Sequence, residues 1–153
     1  MVNDAHLRTD LRIDVRHSEL RPVYVSAETT RKIPQRTLRA TDFALTTGRD
    51  NLAQAVIMRL LTPRGELTAL GHPTYGSRLH ELVGRRNLAT NLALMRLYIL
   101  ESLKQEPRID SVALLQIEPA SRDRINVYLE VHPVEPAGET AAIPISFALE
   151  VPA

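Results

Sequence analysis

Two hydrophobic repeats of different period follow one another along this chain. Between residues 48 and 106 the apolar residues recur every three or four positions, as they do on one face of a helix. Between residues 107 and 153 apolar and polar residues alternate, as they do in a half-buried strand. Helices followed by strands are typical of the α+β class. We therefore predict an α+β fold, with helices packed on one face of a small, mostly antiparallel sheet.

Prolines and glycines divide the helical part into three predicted helices. Pro63 ends the first, because the residue before a proline avoids helical dihedral angles. Ser77 can cap a short second helix that ends at Gly84, and Asn87 can cap a third that runs to about Gln105. The third helix has an apolar stripe formed by Leu88, Leu92, Met95, Ile99 and Leu103. We expect this helix to be the central packing element of the domain.

Three alternating segments predict the strands of the sheet. The segment 112–117 is apolar on both faces, which indicates a strand in the middle of the sheet. In the second strand, alternate residues are apolar and share one face: Ile125, Val127, Leu129 and Val131. The last strand does the same with Ile143, Ile145, Phe147, Leu149 and Val151. Pro144 in that strand cannot donate a ladder hydrogen bond, which predicts an exposed C-terminal edge strand.

The predicted edge strand has two interpretations that the local sequence leaves open. An uncovered edge offers a row of backbone groups, with which a strand of another chain can pair. Alternatively, the strand is an ordinary edge, and Pro144 protects it against unwanted pairing.

Residues 1–44 are predicted to form an N-terminal extension, followed by a domain of residues 45–153. The extension is basic and strand-leaning, with short strands expected at 11–15, 23–25 and 43–45. The stretch 29–39 is dominated by polar and basic residues. These basic residues either lie in solvent or dock on an acidic partner surface, where they would set the rate and register of association.

Composition and charge argue against several functions. A formal net charge of +1 and 4% aromatic residues argue against nucleic-acid binding, and a nucleic-acid adaptor that uses the basic extension stays a third hypothesis. The chain has no cysteine, which excludes thiol nucleophiles and thiolate metal sites. The polar start, residues 1–10, does not have the pattern of a signal peptide, and Arg96 and Glu101 interrupt the longest apolar stretch. We expect assembly in the cytoplasm without membrane insertion.

No set of residues has the spacing of a known catalytic or metal site. The five histidines lack the pairwise spacing that places two ligands on one face: His6, His17, His72, His80 and His132. A glycoside hydrolase needs two carboxylates across a sugar cleft, and candidates are Glu66, Glu81, Glu101 and Glu106. Solvated helix faces explain these carboxylates equally well. We predict no catalytic residues, metal or cofactor, and a peptidoglycan hydrolase stays the alternative function.

Glu106, Pro107 and Arg108 lie where the helical part meets the strand part. Pro107 stops the helix and fixes the direction in which the chain leaves it. Glu106 and Arg108 are then held at a rigid corner, where they can form charge-assisted hydrogen bonds with each other or with a partner. Any corner between a helix and a strand can have this appearance, so the tripeptide alone assigns no function.

The segments 48–66 and 71–79 together resemble the baseplate wedge family of contractile tails, which is sometimes labelled lysozyme-like. The family includes phage tail proteins and the corresponding subunits of type VI secretion and extracellular injection particles. The resemblance covers about residues 45–151, and the residues outside it belong to the N-terminal extension. It rests on three motifs in order: Leu60-Leu61-Thr62-Pro63-Arg64-Gly65-Glu66, then Tyr75-Gly76-Ser77, then Glu106-Pro107-Arg108.

This resemblance implies a structural role without catalysis. In the family, the corner formed here by Glu106, Pro107 and Arg108 binds the helical core bundle of the wedge. The small sheet pairs with strands of the sheath subunit and so begins sheath assembly. The corresponding strand here comprises Ile143, Ile145, Phe147, Leu149 and Val151. The resemblance further implies wedge and sheath subunits as partners, six copies in each baseplate, and a final location in a phage tail or tail-like particle.

Overall fold

The computed structural model describes residues 7–16, 21–34, 36–82, 85, 89–121, 124–134 and 141–150 of the 153-residue chain. The predicted α+β class is confirmed. In chain order the elements are β1 (Thr9–Leu11), β2 (Ile13–Arg16), β3 (Arg21–Tyr24), β4 (Ser26–Ile33), β5 (Arg36–Phe43), β6 (Leu45–Thr47), α1 (Gly48–Leu61), α2 (Ala89–Leu103), β7 (Ile109–Pro119), β8 (Arg124–Pro133) and β9 (Ile143–Glu150). The chain divides into two compact units, Met1–Leu52 and Ala53–Ala153.

The first unit consists of three two-stranded antiparallel ladders that meet at one junction. Strand β1 pairs with β6, β2 with β3, and β4 with β5. At the junction the N–H of Arg12 donates to the carbonyl of Ala44, at 2.8 Å, and the N–H of Ala44 donates to Val25, at 2.7 Å. The N–H of Val25 donates to Arg12, at 3.1 Å, and closes the ring. The strand predicted at 11–15 is therefore divided at Arg12.

The longest hairpin of the first unit was not predicted. Strands β4 and β5 pair from Ser26 with Phe43 to Ile33 with Arg36, so the polar stretch 29–39 is largely strand. Side chains on both faces of this hairpin are exposed, including Thr29, Thr30, Arg39 and Ala40. Where the side chains of this hairpin are described, they show no apolar alternation, which is the signal on which the sequence prediction depended.

The helices of the second unit agree with the predicted ends. Helix α1 ends at Leu61, two residues before Pro63. The segment predicted as a short helix is a 3₁₀ turn, Leu79–Leu82, and the hydroxyl of Ser77 accepts a hydrogen bond from the N–H of Leu79 at 3.2 Å. Helix α2 buries Met95, Tyr98, Ile99, Ser102 and Leu103. The predicted caps Gly84 and Asn87 lie outside the described residues.

The sheet of the second unit has three antiparallel strands in the order β7-β8-β9. The predicted alternation of β8 and β9 is confirmed, because Ile125, Val127, Leu129 and Val131 are buried and lie opposite Leu149, Phe147, Ile145 and Ile143. These side chains form the core of the unit together with the buried face of α2, which packs against β7. Val151, predicted to continue the pattern, lies outside the described residues.

The prediction that the segment 112–117 lies in the middle of the sheet is wrong. This segment belongs to β7, an edge strand, and β8 is central. The ladder has a register shift between Val112 and Leu114, so Val112 and Leu115 both lie opposite core-facing residues of β8. A β-bulge inserts one residue and reverses the alternation. The apolar residues of this segment therefore belong to one core-facing set, whose alternation shifts by one residue at the bulge. Leu114, which the pattern placed on a second buried face, is 37% exposed.

Candidate functional site

The outer side of β9 presents backbone groups that β8 does not bind. Pro144 lies opposite Glu130, and a proline, which has no N–H, is accommodated best at a pair that exchanges no ladder hydrogen bonds. The N–H of Ala120 donates to the carbonyl of Arg124 at 2.9 Å, so the even-numbered residues of β8 bond toward β7. Both observations place the backbone groups of Ser146 and Ala148 on the outer side of β9, where Ser146 is exposed and Ala148 is 6% exposed. Among the described residues, β8 is the only strand that pairs with β9.

The outer side of β7 is closed by the helix next to it. By the same alternation, the carbonyl of Leu115 points away from β8. The guanidinium Nη1 of Arg96, on α2, donates to this carbonyl at 2.7 Å. Arg96 therefore satisfies a backbone acceptor that a further strand would otherwise use.

The predicted corner after α2 is an internal ion-pair cluster. Glu106 is 5% exposed, and its carboxylate accepts hydrogen bonds from Nη2 of Arg59 at 3.1 Å and from Nε of Arg108 at 2.6 Å. Pro107 between them is exposed. The structure thus brings the predicted corner residues together, and it places the charge of Glu106 inside the protein.

Electrostatics keep Glu106 ionised. Burial of the carboxyl acts to raise its pKa, but the hydrogen bond and charge of Arg108 and the charge of Arg59 outweigh burial, so the pKa lies below its ordinary value. A buried carboxylate with two guanidinium partners ties α1 to the start of β7. Removing either charge would leave the other without compensation.

Arg59 also forms one wall of a surface cleft of about 460 Å³. Its guanidinium carbon lies 4.5 Å from the ring centroid of Tyr75, a cation–π contact, and burial raises the pKa of the Tyr75 hydroxyl. Its Nε is buried and has no hydrogen-bond partner among the residues that the structure describes, which costs on the order of 1–3 kcal/mol. The cleft is lined by Arg59, Gly71, His72, Pro73, Thr74, Tyr75 and Gln105.

The other candidate carboxylates lie in separate surface pairs. Glu81 accepts two hydrogen bonds from Arg78, which lower the pKa of its carboxyl, and Glu101 pairs with Arg64. Glu66 is exposed. Of the histidines, His72, His80 and His132 are described, and His80 Nδ1 lies 3.2 Å from the carbonyl of Ser77. The described residues contain no cluster of three or more acidic or histidine side chains suited to a metal ion.

Three residues with clear roles were missed by the sequence reasoning. Arg59 stands within the apolar pattern of α1, three residues after the buried Val56, and an arginine there signals a buried partner. Its partner Glu106 is 47 residues away, which no local pattern reveals. Arg96 was noticed only as an interruption of an apolar stretch, and Tyr75 only as part of a motif. Neither position has a spacing that indicates its contact.

Neither α-helix of the described chain has the length and apolar content needed to span a bilayer.

Comparisons with known proteins bear on the fold alone. No protein-family profile matches the chain, and no curated protein matches it. It is similar to the crystal structure of a Geobacter sulfurreducens protein that carries the name tail lysozyme. That superposition has a TM-score of 0.56 and 23% sequence identity, and it covers 73% of this chain and 100% of the other. The two chains therefore share a fold.

Proposed function

We propose that this chain is a structural component of a contractile-tail baseplate, in which β9 pairs with a strand of a sheath subunit and begins sheath assembly. The observation that carries the proposal is the outer side of β9, where Ser146 and Ala148 direct N–H and C=O groups away from β8. An added strand would bond to these groups without disturbing the sheet.

The position of Pro144 limits how such a strand can pair. Pro144 offers a carbonyl but no N–H on the outer side, so the first part of β9 provides fewer bonds than the part after Ser146. Pairing is therefore favoured at the exposed Ser146, whereas Ala148 is only 6% exposed. Four residues of β9 face the core and anchor the strand there, while their backbone groups bond to β8: Ile143, Ile145, Phe147 and Leu149. Val151 was also predicted to take part in sheath pairing, and it lies outside the described residues.

Two further observations support a tail-related role. The fold is shared with a protein that carries the name tail lysozyme. The chain also contains the three motifs on which the resemblance to the baseplate wedge family rests. In this proposal, six copies assemble in the cytoplasm into each baseplate and become part of a phage tail or tail-like particle.

The contact with the wedge core is proposed to use the corner after α2. Because Glu106 is buried, it contributes by holding Arg108 and Arg59 in place rather than by touching the partner. Pro107 is exposed and is the part of the corner that a helical neighbour can contact directly. In this proposal the buried carboxylate of the tripeptide holds the corner in place, and the exposed proline contacts the partner.

Electrostatics count against Glu81 and Glu106 as the general acid of a peptidoglycan hydrolase. A glycosidase requires one carboxylic acid whose pKa is raised, so that it is protonated and can donate to the leaving group. The pKa values of Glu81 and Glu106 are both lowered, by Arg78 in the first case and chiefly by Arg108 in the second. Digestion of purified cell-wall material is the direct test, and activity that depends on one of these carboxylates would overturn the proposal.

The strand-pairing proposal is tested by co-expression with the sheath protein of the same particle. Ser146→Pro removes an outer N–H and leaves the bonds to β8 intact, and Ser146→Val keeps the N–H as a matched control. We expect Ser146→Pro to abolish co-purification with the sheath, and Ser146→Val to retain it, at equal thermal stability. Unchanged sheath binding by a folded Ser146→Pro protein would contradict the proposal.

A further inference from the structure

The cleft beside Arg59 has the properties of a second binding site, independent of β9. Its volume of about 460 Å³ falls within the range of about 300–1,000 Å³ that is usual for ligand sites. Gly71, His72, Pro73 and Thr74, which line it, are exposed. The cleft is therefore open to solvent, so that a small free ligand would remain largely exposed in it, whereas a side chain on a protein surface can fill it.

Hydrogen bonds fix the loop that forms this cleft. The N–H of Arg64 donates to the carbonyl of Ser77, and the N–H of Ser77 donates to Thr62, both at 2.8 Å. The amide of Gln105, oriented with its nitrogen toward Thr74, donates to the carbonyl of Thr74 at 2.8 Å. At Gly76 a Cβ atom would lie 2.5 Å from the carbonyl oxygen of Thr62, so only glycine fits. A loop held in this way loses little freedom on binding.

The charges around the cleft favour an anion. Arg59 lines the cleft, and behind it Arg59 and Arg108 share the single carboxylate of Glu106, which leaves one positive charge in excess in this cluster. Arg59 is 8% exposed; its Nη2 is bonded to Glu106 and its Nε is shielded from solvent, whereas its Nη1 donates to no described residue. An unused donor on a buried cation in the wall of a cleft is the feature that an acceptor group would satisfy.

We propose that this cleft binds the carboxylate of an aspartate or glutamate carried by an acidic segment of a partner protein. A planar carboxylate matches the guanidinium of Arg59, and the ring of Tyr75 can pack against the methylene groups of the entering side chain. The proposal does not depend on strand pairing at β9, so the Ser146→Pro protein should bind an acidic segment as the unsubstituted chain does.

The test is an NMR titration of the full-length ¹⁵N-labelled chain with a short, acetylated polyglutamate peptide. We expect shifts confined to the amides of Gly71, His72, Thr74 and Tyr75, and none with the matching polyglutamine peptide. His72→Glu places a carboxylate in the cleft and should weaken binding about tenfold. Leu70→Glu adds the same charge on the same loop, outside the lining, and should change the affinity by less than about twofold.

Two outcomes would overturn the proposal. Chemical-shift changes spread over the surface, or an equal loss of peptide affinity in both variants, would show that the peptide is attracted without a defined site. An absence of shifts at the cleft would show that its carboxylate site does not exist. We avoid Arg59→Ala as the test, because it leaves Glu106 buried beside fewer charges and would change the fold as well as the cleft.

Discussion

Within the described part of the chain, the outer strands β7 and β9 each have one side without a partner strand, and a side chain bonds to that side of β7 but not to that of β9. On β7, Arg96 donates to the outward carbonyl of Leu115 at 2.7 Å. On β9, Ser146 and Ala148 point the same kind of groups outward, and no described residue bonds to them. The two edges belong to one sheet, and they differ both in their neighbours and in regularity, because β7 has register shifts and β9 has none.

This difference indicates which edge is available to another chain. Proteins commonly protect sheet edges with charged side chains, prolines or covering elements, because exposed edges pair with other strands. Here a charged side chain closes β7, whereas β9 has Pro144, which removes one donor and leaves those of Ser146 and Ala148. The edge left open is therefore the one on which the proposed function depends.

The largest expected effect separates the two sides of β9. Phe147→Pro removes an N–H that bonds to β8 and deletes a buried ring, so it should lower the free energy of unfolding by about 4–5 kcal/mol. Ser146→Pro, one residue away, should cost much less because its N–H faces outward. Urea unfolding of both variants gives the comparison, and equal losses would show that the assigned alternation is wrong.

The next effect concerns the corner from which β7 starts. Glu106→Gln leaves Arg59 buried without a counter-charge and should cost about 3 kcal/mol. Because the pKa of Glu106 is lowered in the fold, its ion pairs stabilise the protein above its ordinary pKa of 4.5 and stop doing so as pH falls through the lowered value. Unfolding curves below pH 4.5 should therefore show a loss of stability that is absent from the Gln variant. An identical pH dependence in both proteins would contradict this role.

A smaller effect is expected at the closed edge. Arg96→Ala leaves the carbonyl of Leu115 without its donor and should cost about 1 kcal/mol. It also opens β7, so that the variant should self-associate more than the unsubstituted chain. Sedimentation velocity measures this directly, with Arg78→Ala as a control for loss of a surface arginine. A monomeric Arg96→Ala protein would show that Arg96 does not close the edge.

The smallest effect on stability is expected at Pro144. Pro144→Val restores an outer N–H and should change the free energy of unfolding by less than about 0.5 kcal/mol. The added donor extends the open part of β9, so pairing with a sheath strand or with another copy should become stronger. Affinity for the sheath protein, measured beside thermal stability, tests this expectation. Weaker pairing in the variant would mean that Pro144 contributes to recognition rather than limiting it.

Sequence reasoning was most accurate where one face of an element is buried. The alternation of β8 and β9, the end of α1 before Pro63 and the edge position of Pro144 all follow from local patterns that the structure retains. It was wrong about the place of β7, because a bulge after Val112 changes the phase of the alternation and looks like burial on two faces.

Contacts between distant parts of the chain were beyond the sequence. The corner at Glu106 was predicted, but its burial depends on Arg59, and no periodicity links the two positions. The difference between the two edges likewise depends on Arg96 reaching Leu115 from another element. The β4–β5 hairpin was missed for a different reason, since its described side chains are exposed on both faces and give no alternating pattern to detect.

Hydrogen exchange along β9 tests the central claim most directly. In the chain alone, the amides of Ile145 and Phe147 should exchange slowly, and that of the exposed Ser146 should exchange rapidly. Addition of the sheath protein should then protect Ser146. Slow exchange of the Ser146 amide in the isolated chain would show that the outer side of β9 is already bonded, which would contradict the account.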